Sequence, residues 1–319
     1  MPRFHPALAA WLRTHHGVVT HQRLLDLGLT SGQIRALLRA GELVMVHEGV
    51  YRHSMWPDSL AAYLAAACAA DPTVVATCGA AARIYGFRRC GRVGAHLLCP
   101  GATKRVDCDE HRLHRTLVLP PEHVIERPDG IRVVTPDRAV FDLARHLGDL
   151  DLESVIEQGL DRHLFEVTHL RRVGEVLCVR GRPGAARFAR VVGSRPAWRR
   201  PADSHPELVL RAALLEVGVS LEPQLAVDLG GGVTVHPDLG DHSCRFYVEI
   251  DEPLWHNPRE VSARDRRRDR QIRLLGGRVE RVLTDEMDRD LPAVVVEIVT
   301  AYRQQQAAWS LLDRRDLGS

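Results

Sequence analysis

Residues 194–206 read SRPAWRRPADSHP, a polar stretch with three prolines, and no single hydrophobic core can be threaded through it. Each proline lacks a backbone N–H, and the charged side chains between them need water. The stretch is the best linker in the chain, with apolar-patterned segments on either side. At 319 residues the chain is long enough for two or three such cores. The pattern predicts domains over 1–55, 56–195 and 204–308, with a linker at 196–203 and a tail at 309–319.

The predicted class is α+β multidomain: an N-terminal winged helix-turn-helix, a central α/β and helical region, and a C-terminal α/β domain. Pro6–Thr14 is patterned as a short amphipathic helix. Thr20 can cap a second helix that ends at Gly28, and Thr30 or Ser31 a third, SGQIRALLRAG, with Ile34, Leu37 and Leu38 inward. LVMVHEGVYR then gives two strand runs about Glu48-Gly49. Helix, turn, helix, hairpin is the order of a winged helix. Farther on, LAAYLAAACAA, GAAARIYGF and TPDRAVFDLARHL read as helices, AHLLCP and IRVVTP as strands, and 150–193 as helical. In the last unit the order is helix (PELVLRAALLEVGV), strands, an Arg/Asp-rich helix, strand (VERVL) and a closing helix.

Charge says little by sum and more by kind. The net charge is +2, and Lys104 is the only lysine, so nearly all positive charge is arginine. Arginine forks suit phosphates and base edges, although a GC-rich coding bias gives the same composition. Seven cysteines, an odd number with no CxxC, point to free thiols in a reducing, cytoplasmic setting. Cys90, Cys99, Cys108, His111 and His114 have the right side chains for zinc, but their nine-residue cysteine spacing matches no known ligand pattern. No secretory leader is apparent, and the longest apolar run is far short of the ~20 residues of a membrane span.

In a winged helix the third helix enters the major groove. Its outward residues here are Ser31, Gln33, Arg35 and Arg39, with His47 and Arg52 on the hairpin placed for phosphate or the minor groove. The bland alternative is a solvated surface on a protein-contact module. The stretch HHGVVTHQRLLDLGLTSGQIRALLRAGELVMVHEGVYRH resembles the winged-helix domain of AbiEi-type antitoxins. The likeness runs on through SLAAYLAAACAADPTVVATCGAAARIYGF, VVTPDRAVFDLARHL and ESVIEQGLDRHLFEVTHLRRV, over about residues 10–195. It implies a DNA-binding protein, often paired with a nucleotidyltransferase toxin.

The C-terminal unit carries acidic groups in a suggestive order. Asp238 sits in a P-D dipeptide after a strand, and Glu249 and Asp251 end the next as E-I-D. Residues i and i+2 of a strand share a face, so a hairpin can bring all three carboxylates to one edge. Glu207, early in the preceding helix, can approach the same place. Carboxylate oxygens are the ligands of hard cations such as Mg²⁺ or Mn²⁺, which can activate water against a phosphodiester. Val261, Asp265, Arg268 and Ile272 share one helical face, turning Asp265 and Arg268 toward the sheet, while Arg264, Arg267 and Arg270 face elsewhere and suit phosphates. Ordinary strand-end charges and a helix laced by ion pairs remain the competing reading. His256, after Trp255, is a candidate base or phosphate contact.

Glu207, the P-D of Asp238, VEID, the W-H of His256 and ARDRRRDRQIRLLGGRVERV are similar to the Vsr-like endonucleases of the PD-(D/E)XK class, over about residues 204–285. The resemblance implies metal and catalytic roles for Asp238, Glu249 and Asp251, and support roles for Glu207, His256, Asp265 and Arg268. The lysine of the general class is absent, and Asp251 stands in its place, as in Vsr-like members. The glycine that often follows E-x-D is Glu252 here, and GGR replaces an aromatic before the last strand. The sequence thus leads to a DNA-binding protein with a Mg²⁺- or Mn²⁺-dependent endonuclease-type domain, in a defence or toxin–antitoxin context. The alternative is a non-catalytic regulator or antitoxin that retains the nuclease fold, with a toxin chain as possible partner. The oligomeric state is not legible.

Overall fold

In a computed structural model, the described backbone covers residues 6–100, 113–116, 118–195, 204–230, 232–251 and 270–316, with side chains described as far as 311. The predicted linker, 196–203, lies outside the described residues. The fold is mixed α+β. The chain divides into two compact units, each discontinuous in sequence: 1–148 with 164–192, and 149–163 with 193–319.

The first unit opens with α1 (Pro6–Thr14), β1 (Val18–Thr20), α2 (His21–Asp26), α3 (Ser31–Arg39), β2 (Leu43–His47) and β3 (Val50–His53). The caps are local. Thr20 Oγ1 accepts from Arg23 N at 3.1 Å and starts α2. Thr30 starts α3 in a capping box closed by Gln33 Oε1, which accepts from Thr30 N at 2.7 Å. Strand β1, which the sequence pattern did not single out, pairs antiparallel with β3, and β3 with β2. The helices bury Leu12, Leu24 and Ile34 against Leu43 and Tyr51 of this small sheet.

The rest of the unit is built from α4 (Leu60–Ala70), β4 (Val75–Cys78), α5 (Gly79–Tyr85), β5 (Ala95–Cys99), β6 (Leu113–Arg115), β7 (Val124–Glu126), β8 (Arg132–Val134) and α6 (Pro136–Leu143). After α7 (Asp149–Asp161), which belongs to the second unit, α8 (Val167–Leu177) packs on α6, and α9 (Ala185–Ser194) follows. Helix α4 spans the Ala-rich run without a polar stripe and is buried along most of its length, capped by Ser59. The sheet order is β6-β5-β4-β8-β7. The β4–α5 junction is tight: a Cβ on Gly79 would lie 2.1 Å from the Val93 carbonyl oxygen, so only glycine fits there.

The second unit contains α7, α10 (His205–Glu216), β9 (Glu222–Pro223), β10 (Val227–Asp228), β11 (Thr234–Val235), β12 (Leu239–Asp241), β13 (Phe246–Asp251), β14 (Arg278–Leu283) and α11 (Thr284–Asp316). Its main sheet runs β14-β13-β12-β9; β13 is parallel to β14, and β12 is antiparallel to both β13 and β9. Alternation along β13 sorts its side chains. Phe246, Val248 and Ile250 join the core with Leu210 and Leu214 of α10 and Ile298 of α11. Tyr247 faces the other way with Val227 and Ile272, and the same period sends Glu249 and Asp251 to that second face. Helix α11 is interrupted at Asp290, whose φ is −154°, two residues before Pro292. It continues to Asp316, so the predicted tail from 309 is helical for most of its length; Trp309 packs on the core, with Arg245 stacked 4.8 Å from its ring centroid. Inside the unit, Arg195 makes two hydrogen bonds to the fully buried Glu157, at 2.9 and 3.1 Å, and ties the chain leaving α9 to α7.

A second ion pair fixes the first unit. Asp129, in the β7–β8 turn, accepts from Arg127 Nη2 at 2.9 Å and lies 3.0 Å from His16 Nε2 in the α1–β1 turn. Burial alone would raise its carboxyl, but the hydrogen bonds from Arg127, His16 and the Ile131 N–H outweigh it and hold the pKa at about 2, below the usual 3.8. A depressed carboxyl stabilises the fold above its unfolded pKa, and that stabilisation is lost as pH falls toward the folded value. Asp129→Asn should therefore lower the unfolding free energy by about 1–2 kcal/mol at neutral pH. In urea titrations the gap to the wild type should close between about pH 4 and pH 2; a gap independent of pH would contradict this account.

Candidate functional site

The acidic residues of the second unit meet at one end of the β12–β13 hairpin. Leu239 lies opposite Val248, so one further step of the register sets Asp238 beside Glu249. Asp238 follows β11 and stands one residue before β12, next to Pro237, which has no N–H to donate to a ladder. Its Oδ2 accepts from Ile250 N at 2.7 Å, which fastens the carboxylate to the E-I-D strand. Glu207 is fixed from the other side. Ser204 caps α10, accepting from Glu207 N at 3.4 Å, and Glu207 sits in the first turn, only 3% exposed. A helix N-terminus favours such a carboxylate.

Gln224, which sequence reasoning missed, joins these groups. Its backbone N donates to the Asp238 carbonyl at 3.0 Å. Its side-chain Nε2 donates to Glu207 Oε2 at 3.3 Å and to Asp238 Oδ1 at 3.2 Å. One amide therefore serves two carboxylates. Gln224 is buried and holds a φ of +50°, a conformation a non-glycine residue adopts only when its surroundings compel it. The one signal in the sequence was a polar residue inside the apolar LEPQLAV run.

Glu249 is buried at 8% exposure. Asp251 is more open, and both of its oxygens accept from Arg281 Nη1 of β14, at 2.9 and 3.1 Å. Among the described residues Asp238, Glu249 and Asp251 do not form a set whose donor atoms all lie within 4.8 Å of one another. The parallel register places Arg281 beside Glu249, two pairs before Asp251 and on the same face of the sheet, and its guanidinium draws the Asp251 carboxylate to itself. Arg245 is not at this site: its guanidinium donates to the Leu275 carbonyl and stacks on Trp309. His256, Arg264, Asp265, Arg267 and Arg268 lie outside the described residues.

In the first unit, Ser31, Gln33, Arg35 and Arg39 are exposed along one side of α3. Gln33 spends its side-chain oxygen on the Thr30 cap, a local role that the sequence pattern (Thr30 three residues before Gln33) also permits. Arg35 and Arg39 each donate through Nε to a carbonyl one turn back, at 3.3 Å. His47 is half-buried in β2, and Arg52 is half-buried with Nη1 donating to the Trp56 carbonyl at 2.9 Å, so Arg52 braces the hairpin.

Comparison with protein-family models gives no match, and comparison with curated proteins gives none either.

The Gln224 bridge makes a quantitative prediction. Gln224→Ala leaves Glu207 and Asp238 without their shared donor and should cost about 1–3 kcal/mol in urea unfolding. Unfolding at the wild-type midpoint would show that the bridge contributes nothing.

Proposed function

We propose that the chain binds DNA through its N-terminal helices and carries a Vsr-like, divalent-metal-dependent endonuclease-type site in its second unit. The observation that carries this reading is the Gln224 amide holding Glu207 and Asp238 together, next to the buried Glu249. The β9, β12, β13 and β14 order, with a parallel last pair and the acidic residues at the hairpin end, supports it. Magnesium-type cations are commonly held by one or two carboxylates with substrate oxygens completing the shell, so Asp238 and Glu249 suffice as protein ligands. When bound, Mg²⁺ or Mn²⁺ would offset charge on the phosphate and favour deprotonation of water. Glu207 and Gln224 orient Asp238. Arg281 is paired with Asp251 beside these carboxylates, and in this reading a substrate phosphate oxygen would compete with Asp251 for its guanidinium.

In the first unit, the order α1-β1-α2-α3-β2-β3 supports a winged helix, with Ser31, Gln33, Arg35 and Arg39 along the groove-facing side of α3. A toxin–antitoxin or defence setting rests on the AbiEi-type resemblance alone. The Asp251–Arg281 pair also favours a second reading: a DNA-binding regulator whose nuclease-type edge is internally neutralised.

Incubation of supercoiled plasmid and single-stranded DNA with Mn²⁺ separates the two. Cleavage that falls at least about 100-fold in Asp238→Ala and Glu249→Ala supports the nuclease. Equal behaviour of mutant and wild type, or DNA binding without cleavage under any metal, supports the regulator. Arg35→Ala with Arg39→Ala should weaken duplex binding and reduce the salt slope by roughly 1 for each phosphate no longer neutralised; unchanged binding would remove α3 from the interface.

A further inference from the structure

Four metal-ligating side chains converge in the first unit, away from every residue used above. Cys78, His96, His114 and His146 each present one ligand atom, and these atoms all lie within 4.8 Å of one another. They come from four places: the β4–α5 junction, β5, β6 and the turn after α6. Cys78 and His96 are buried, His114 is half-buried and His146 is exposed. His114 Nε2 lies 2.9 Å from His96 Nδ1, and the His96 and His146 ring centroids are 5.0 Å apart.

We infer that Cys78, His96, His114 and His146 form a binding site for a zinc-type transition metal ion. A thiolate with three imidazoles is a soft-to-borderline donor set that suits Zn²⁺ and not Mg²⁺. In a tetrahedral zinc site the donor atoms stand about 3.4–3.6 Å apart, so the cluster needs side-chain adjustments of roughly 1 Å to close on an ion. Two further observations point the same way. Cys78 has φ +50° and ψ −125°, a strained backbone for a residue with a Cβ, and this conformation turns its thiol out of the strand at the junction. Cys78 and His114 also line a cavity of about 450 Å³, which gives an ion a path to the site. Four protein ligands close the coordination shell, so the role is structural: the ion joins β6 and the turn after α6 to the β4–β5 pair. The zinc ligands weighed from sequence share only His114 with this cluster. Cys90 and Cys99 are not in it, and Cys108 and His111 lie outside the described residues.

The test uses the full chain, freed of any histidine tag, with metal content measured by mass spectrometry and with Co²⁺ as spectroscopic probe. The expected result is roughly one zinc ion per chain, and a cobalt form with tetrahedral d–d bands and a thiolate-to-cobalt charge-transfer band. Cys78→Ser should abolish the charge-transfer band, and His114→Ala should reduce zinc content at least about 10-fold. For variants that fail to fold, the wild type is melted before and after chelation; a lower midpoint that Zn²⁺ restores supports the site. Cobalt binding without the charge-transfer band would leave Cys78 out of the coordination shell and overturn the assignment. So would less than about a tenth of an equivalent of zinc in a wild type whose midpoint ignores chelation.

Discussion

Carboxylates gathered at one sheet edge repel one another and lose hydration, and the second unit is organised around answering that cost with donors. The Gln224 amide is shared by Glu207 and Asp238, the Ile250 N–H holds Asp238, and the Arg281 guanidinium holds Asp251. The donors come from three places: the turn after β9, strand β13 and strand β14. The antiparallel β12–β13 register brings Asp238 to the E-I-D strand, and the parallel β13–β14 register brings Arg281. On the opposite face, Phe246 and Val248 lock β13 onto the helices. The acidic edge is thus rigid because its reverse side is core.

That division of labour bears on function. An acidic group fixed by neutral donors keeps lone pairs for a cation, whereas one fixed by a guanidinium is already compensated. Asp238 accepts from the Gln224 amide and the Ile250 N–H, and Asp251 from the Arg281 guanidinium. The Cys78, His96, His114 and His146 cluster differs in every respect: soft donors, another unit, and a closed shell.

What was legible in the sequence was mostly local. Helix α4 follows from an unbroken Ala-rich run behind Ser59, α3 from the Thr30 and Gln33 capping signal, and the hairpin meeting of Asp238 with β13 from period-two alternation. What was hidden depends on pairings distant in the chain. Gln224 acquires its role only because Glu207 and Asp238 arrive from different elements. Arg281 reaches Asp251 across a parallel crossover. Helix α7 groups with the C-terminal unit, where Glu157 takes the guanidinium of Arg195 and Glu153 that of Arg211. The Cys/His cluster draws on residues from 78 to 146, one from each of four separate elements, and no short ligand motif announces it.

We propose that a divalent cation sits between Asp238 and Glu249. Replacing it with Fe²⁺ and generating hydroxyl radicals with ascorbate and peroxide tests this directly, since such radicals cut the polypeptide beside the bound iron. The expected result is cuts next to Asp238 and Glu249 that excess Mg²⁺ suppresses and Asp238→Ala removes. A full chain without cuts there, or with cuts only near Cys78 and His146, would contradict it.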